Sequence, residues 1–191
     1  CTIPNVGAPF TITFPGGLVY RNGVVYTWNQ SSPYQLWSID TVTGIHTLVF
    51  NIIGVPQVNF TGMCWDGTTL YGVSTNLSVS QIFNVTTGTP IGSPSSVCAG
   101  AVQLFGRSFA GSSLYSADIV TDNLYKWNKT TGVATLVGPL GFNVNIGNMR
   151  VSYDNNDCYW VIDGQLRRTD STFGGFTNLC NFGSNLVGFV C

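Results

Sequence analysis

Short runs of Val, Ile, Leu, Thr, Tyr, Phe and Trp, separated by polar residues, follow one another along the whole chain. Tight-turn pairs interrupt these runs at a nearly fixed distance. The pairs are Asn22-Gly23, Asp66-Gly67, Ala110-Gly111 and Asn155-Asn156, and their second residues step by 44, 44 and 45. Three of those residues are Gly and the fourth is Asn, the two types that best tolerate a left-handed backbone. An apolar or aromatic pair follows each turn: Val25-Tyr26, Leu70-Tyr71, Leu114-Tyr115 and Cys158-Tyr159. Further on comes a second such segment: Gln35-Leu36-Trp37, Gln81-Ile82-Phe83, Leu124-Tyr125-Lys126-Trp127 and Gln165-Leu166. Then comes a second turn, Thr43-Gly44, Thr87-Gly88 and Thr131-Gly132, with Gly174-Gly175 slightly out of step.

Each unit reads as four short strands joined by hairpins. The turns supply the positive φ that tight hairpins require. The strands carry the β-branched and aromatic residues that suit a pleated surface. No helix is expected, because the chain has no Glu, only two Lys and no long run with a 3.6-residue period. Four-stranded units of about 40–45 residues are the mark of β-propeller blades. The expected fold is all-β, a small β-propeller of four four-stranded blades on a 44-residue repeat. One domain spans 1–191, with blades near 17–54, 60–94, 103–140 and 147–183. Two pieces fall outside the blades. Residues 8–14 read as an outer fourth strand, and residues 186–190 as the inner first strand of another unit. A ring sealed by both chain ends would use them, and so would strand exchange between subunits.

Length agrees with a single core, since a chain of 191 residues buries roughly 70% of its unfolded surface. Charge changes the picture more. Only 8% of residues are charged, against about 25% in ordinary soluble domains, and the net charge is −1. Nucleic acid needs a basic footprint that is missing here. No stretch is long enough to read as a membrane span. Mean hydropathy is +0.23, so glycans or neighbouring subunits are candidates to cover the surface. A Ser-, Thr- and Asn-rich solvent face is the plainer alternative.

Cysteine and asparagine sharpen the compartment. Cys1, Cys64, Cys98, Cys158, Cys180 and Cys191 are even in number, and no CxxC pair is present. Three disulfides in an oxidising compartment are expected, with the pairing left open between Cys1 and either Cys180 or Cys191. The chain begins at Cys1, which fits a processed form. Asn-x-Ser/Thr sequons occur at Asn29, Asn59, Asn76, Asn84 and Asn128. Asn84 and Asn128 lie 44 apart, just before the Thr-Thr-Gly turn, where Asp40 is their counterpart in the first unit. Loop tips expose an acceptor. An Asn or Asp that opens an Asx turn accounts for the same positions.

Catalytic constellations are scarce. His46 is the sole histidine and sits in a strand-like segment, which leaves a Ser-His-Asp triad resting on it alone. Asp118 with Asp122, and Asp154 with Asp157, are the carboxylate pairs that could do acid/base work on a sugar. Turn chemistry accounts for Asp154, Asp157 and Asp66 as well. Oxygens at 154–157 would also suit calcium, though no metal or cofactor is expected. Arg107 and Arg150 fall at like points of two inner strands, and Arg167-Arg168 is the other basic pair. Trp28, Trp37, Trp65, Trp127 and Trp160 could stack on sugars, but their regular strand positions make packing between blades the default.

The pattern Leu114-Tyr115, Leu124-Tyr125-Lys126-Trp127-Asn128, Thr131-Gly132, Thr135-Leu136-Val137-Gly138 resembles repeats of secreted β-propellers in the broad NHL/YncE-like group. The resemblance runs over residues 17–180. It implies an extracellular or surface interaction module, and it brings no catalytic residues. The expected role is a non-catalytic structural or assembly subunit of an extracellular filament or surface coat. Its partners would be further copies of itself, or other extracellular proteins and glycans. A carbohydrate-binding, lectin- or adhesin-like module is the alternative, and a glycan-active lyase or hydrolase is a distant third.

Overall fold

The computed structural model describes residues 15–29, 34–51, 59–106, 113–144, 150–154, 157–162, 165–169 and 177–181. They form four antiparallel four-stranded sheets, each built from consecutive strands. Blade 1 holds β1 (Pro15–Arg21), β2 (Val24–Asn29), β3 (Gln35–Asp40) and β4 (His46–Asn51). Blade 2 holds β5 (Asn59–Trp65), β6 (Leu70–Thr75), β7 (Ser80–Asn84) and β8 (Thr89–Ser95). Blade 3 holds β9 (Ala101–Gly106), β10 (Ser113–Asp118), β11 (Asn123–Asn128) and β12 (Ala134–Pro139). Blade 4 holds β13 (Arg150–Asp154), β14 (Asp157–Ile162), β15 (Gln165–Thr169) and β16 (Thr177–Asn181). The inner strands pack in chain order, β1 on β5, β5 on β9 and β9 on β13. The chain is a four-bladed β-propeller.

The repeated second turn is the most regular element. Gly44, Gly88 and Gly132 have φ of 69°, 70° and 70°. The first turn varies instead. Arg21 pairs with Val24 and Asp154 with Asp157, leaving two residues in the loop, whereas Trp65 pairs with Leu70. The wider blade 2 loop is held by Asp66, whose Oδ1 accepts the backbone N–H groups of Thr68 (3.0 Å) and Thr69 (2.8 Å).

Blades meet through aromatic rings and hydroxyls. Trp28, Trp127 and Trp160 are fully buried. Trp28 of blade 1 lies 4.1 Å, centroid to centroid, from Phe60 of blade 2. Its ring fills the space over Gly72, where a Cβ would overlap it. Trp127 donates from Nε1 to Ser116 Oγ at 2.8 Å. The link between blades 2 and 3 is fastened by buried hydroxyls. Thr61 Oγ1 donates to the Ala101 carbonyl at 2.6 Å, and Ser80 Oγ donates to the Ala99 carbonyl while accepting the Ala101 N–H. Buried hydroxyls thus supply hydrogen bonds in the interior of a chain with few charges.

Every blade draws its fourth strand from its own stretch of chain. Residues 8–14 and 186–190 lie outside the described residues.

Candidate functional site

Of the carboxylates considered for catalysis, Asp118 and Asp122 accept backbone hydrogen bonds. Asp118 ends β10 and is fully buried. Its Oδ1 accepts Val120 N–H (2.8 Å) and Thr121 N–H (2.9 Å), and its Oδ2 accepts Gly100 N–H (2.9 Å). It closes the β10–β11 hairpin and ties it to the strand entering blade 3. Asp122 has φ of 55° in that hairpin, and its Oδ1 accepts Val144 N–H at 2.7 Å. Backbone donors thus account for both oxygens of Asp118 and for Oδ1 of Asp122. Asp154 and Asp157 are backbone partners across the β13–β14 turn, and their side chains lie outside the described residues. His46 opens the exposed edge strand β4, its ring 5.9 Å from that of Trp37. Arg150 starts β13, and Arg107 lies outside the described residues. Arg167 donates to Gln165 Oε1 and lies 5.2 Å over the Phe142 ring. Among the described residues no group of three His, Cys or Asp side chains could hold a metal. No helix among the described residues is long and apolar enough to cross a membrane.

One charged contact escaped sequence reasoning. Lys129 Nζ, on the second turn of blade 3, meets Asp66 Oδ2, on the first turn of blade 2, at 2.8 Å. Burial raises the Asp66 carboxyl, but Lys129 and the backbone donors of Thr69 and Thr68 outweigh it and hold it down to about 2. The signal was the scarcity of lysine: of only two in the chain, one falls on a repeated turn.

Cys64 and Cys98 are buried free thiols in one core cluster, and Cys180 is an exposed free thiol. No disulfide links these three. The expected pairings involving Cys1 and Cys191, and the side chain of Cys158, lie outside the described residues. Burial, and then the Asp66 charge, push the Cys64 thiol far up, and burial does the same to Cys98. Alkylation under native conditions should therefore mark Cys180 and spare Cys64 and Cys98, read by peptide mass.

The sequons divide between the two ends of the blades. Asn29 ends β2, Asn59 opens β5, and Asn76 sits in the β6–β7 turn. Asn59 pairs with Thr75, so it lies beside Asn76. Asn84 and Asn128 sit at the opposite end. Asn76 Oδ1 accepts from Ser78 and Val79, Asn84 Oδ1 from Thr87, and Asn128 Oδ1 from Thr130 and Thr131. Asp40 does the same for Val42 and Thr43. The Asx turn is thus formed at Asn84, Asn128 and Asp40. It uses Oδ1, whereas a glycan would attach at Nδ2.

The outer strands β4, β8, β12 and β16 are almost wholly exposed. None contains Asp, Lys or Arg. Leu48 and Val49 on β4 and Leu136 and Val137 on β12 are exposed at equivalent places, two repeats apart. More unexpected are Leu18 and Tyr20, on an inner strand yet 67% and 62% exposed.

No protein-family model matches the chain, and no curated protein matches it by sequence. Solved structures do. A chain of the nidogen/laminin complex aligns with a TM-score of 0.66 at 14% identity, over 90% of this chain and 66% of that one. A structural-genomics protein of unknown function from Bacteroides thetaiotaomicron VPI-5482 aligns with a TM-score of 0.66 at 15% identity, over 91% of this chain and 45% of that one. An auxiliary nutrient binding protein from the same organism aligns with a TM-score of 0.60 at 14% identity, over 92% and 44%. The chain thus spans from under half to about two thirds of those chains. At these identities the likeness is one of fold.

Proposed function

We propose that this chain is a non-catalytic, secreted and N-glycosylated β-propeller that serves as an assembly subunit of an extracellular filament or surface coat. The observation that carries this reading is the uncharged, apolar character of its open surfaces. Leu18, Tyr20, Leu48, Val49, Leu136 and Val137 are exposed in a chain with only 8% charged residues. Open strand edges without charge are templates for pairing with another chain. Large exposed apolar patches mark interaction sites. The structural neighbour from the nidogen/laminin complex accords with a role in binding other proteins.

A carbohydrate-binding role has less support, although one neighbour is described as a nutrient binding protein. Trp28, Trp127 and Trp160 are buried and cannot stack on a sugar, and Trp65 is covered by the Arg21 guanidinium at 3.6 Å. Sedimentation velocity over rising concentration tests the assembly reading. Oligomers are expected before and after deglycosylation. A monomer at every concentration would refute it.

A further inference from the structure

The two faces of blade 1 have different fates. Register puts Leu18 opposite Thr27 and Tyr20 opposite Val25, then Thr27 opposite Trp37 and Val25 opposite Ile39, then Trp37 opposite Leu48. These residues share one side of the sheet, because side chains alternate along a strand and cross-strand partners face the same way. The other side, with Val19, Tyr26, Trp28, Leu36 and Phe50, packs on blade 2. In blades 2 and 3 the inner strands bury both sides. Phe60 through Cys64 of β5 are all buried, as are Ala101, Val102 and Leu104 of β9. Blade 1 instead leaves Leu18 and Tyr20 open to solvent.

The chain carries a segment suited to that face. Residues 186–190, Leu-Val-Gly-Phe-Val, follow β16 as β5 follows β4 and β9 follows β8, so their place in the repeat is that of an inner strand. No blade lacks an inner strand. Thr27, in the middle of this side, is buried. Neither the segment nor Leu18, Tyr20, Val25, Trp37, Ile39 and Leu48 around it carries a charge, so their contact desolvates no ion. We propose that the open face of blade 1 docks residues 186–190 of a second copy. This rests on the assembly reading above and names its contact. Such a contact joins unlike surfaces, so it repeats head to tail and builds an open chain of subunits.

The test uses the full chain with the photo-crosslinker p-benzoylphenylalanine in place of Tyr20, as an equal mixture of isotope-labelled and unlabelled copies. Irradiation is expected to join that position to residues 186–190 in mixed-isotope pairs. Leu18→Asp, at an exposed position, is expected to keep the melting temperature and lose the oligomers. Crosslinks confined to same-isotope pairs would mean that the segment folds back on its own ring, and would overturn the proposal. Oligomers without crosslinks to residues 186–190 would overturn this contact and leave the assembly reading standing. Absence of any oligomer would remove both.

Discussion

At the residue scale, the fold depends on a few positions where two blades come within contact of each other. Gly72 is one, because its missing Cβ makes room for the Trp28 ring. Gly72→Ala should lower the unfolding free energy by about 1–3 kcal/mol, the range for overpacking a filled core, measured by denaturant titration. Gly132 is another. It combines φ of +70° with a Cβ position that would meet the Ile91 carbonyl of blade 2. The Asp66–Lys129 pair gives a pH dependence of defined sign. The folded carboxyl, at about 2, lies below its ordinary 3.8. Its contribution is therefore full above 3.8 and is lost as pH falls from there toward 2. Wild type should lose stability in that window more steeply than Asp66→Asn, as followed by melting temperature against pH.

At the scale of elements, burial ranks the strands. The inner strands β5 and β9 are enclosed on both sides, and the outer strands β4, β8, β12 and β16 lie open. Amide hydrogen exchange should therefore be slowest in β5 and β9 and fastest at the unpaired edges of the outer strands, resolved by peptide mass. Much of this order was legible in the sequence. The Thr-Gly turns at 44, 88 and 132 recur with the same backbone angle, because each needs a residue free to take positive φ. The Asx turns at Asp40, Asn84 and Asn128 were legible for a like reason, since a short polar side chain reaches backbone donors two or three residues on. The first turn was less legible. Its spacing of 44 or 45 holds in sequence, yet the loop is two residues long after Arg21 and four after Trp65. Loop length follows from strand pairing, which repeats in sequence do not encode directly.

At the scale of the whole molecule, low charge would govern the contacts of the proposed assembly. Contacts between uncharged apolar faces are not screened by salt, and excluded salts strengthen them. Oligomer mass should therefore hold as sodium chloride rises and increase with ammonium sulfate, measured by light scattering. Loss of oligomers in moderate sodium chloride would show that charges hold the copies together. The sequons add a second constraint. They lie on blades 1, 2 and 3, and residues 150–181 of blade 4 contain none. The chain leaves blade 4 at Asn181, so the proposed linking segment departs from the part of the propeller with no glycan acceptor.

By itself the sequence determined the number of blades, the places of their turns and the all-β class. Those properties rest on local backbone preference and short-range alternation, which a linear repeat carries in full. Only the tertiary structure decided which polar groups are structural and which apolar ones remain uncovered. Asp118 reads as a candidate acid until Gly100, from the connection between blades 2 and 3, donates to it. Leu18 and Tyr20 read as ordinary inner-strand residues until both are found open to solvent. Burial depends on neighbours distant in the chain, and no repeat period specifies whether the last blade supplies one.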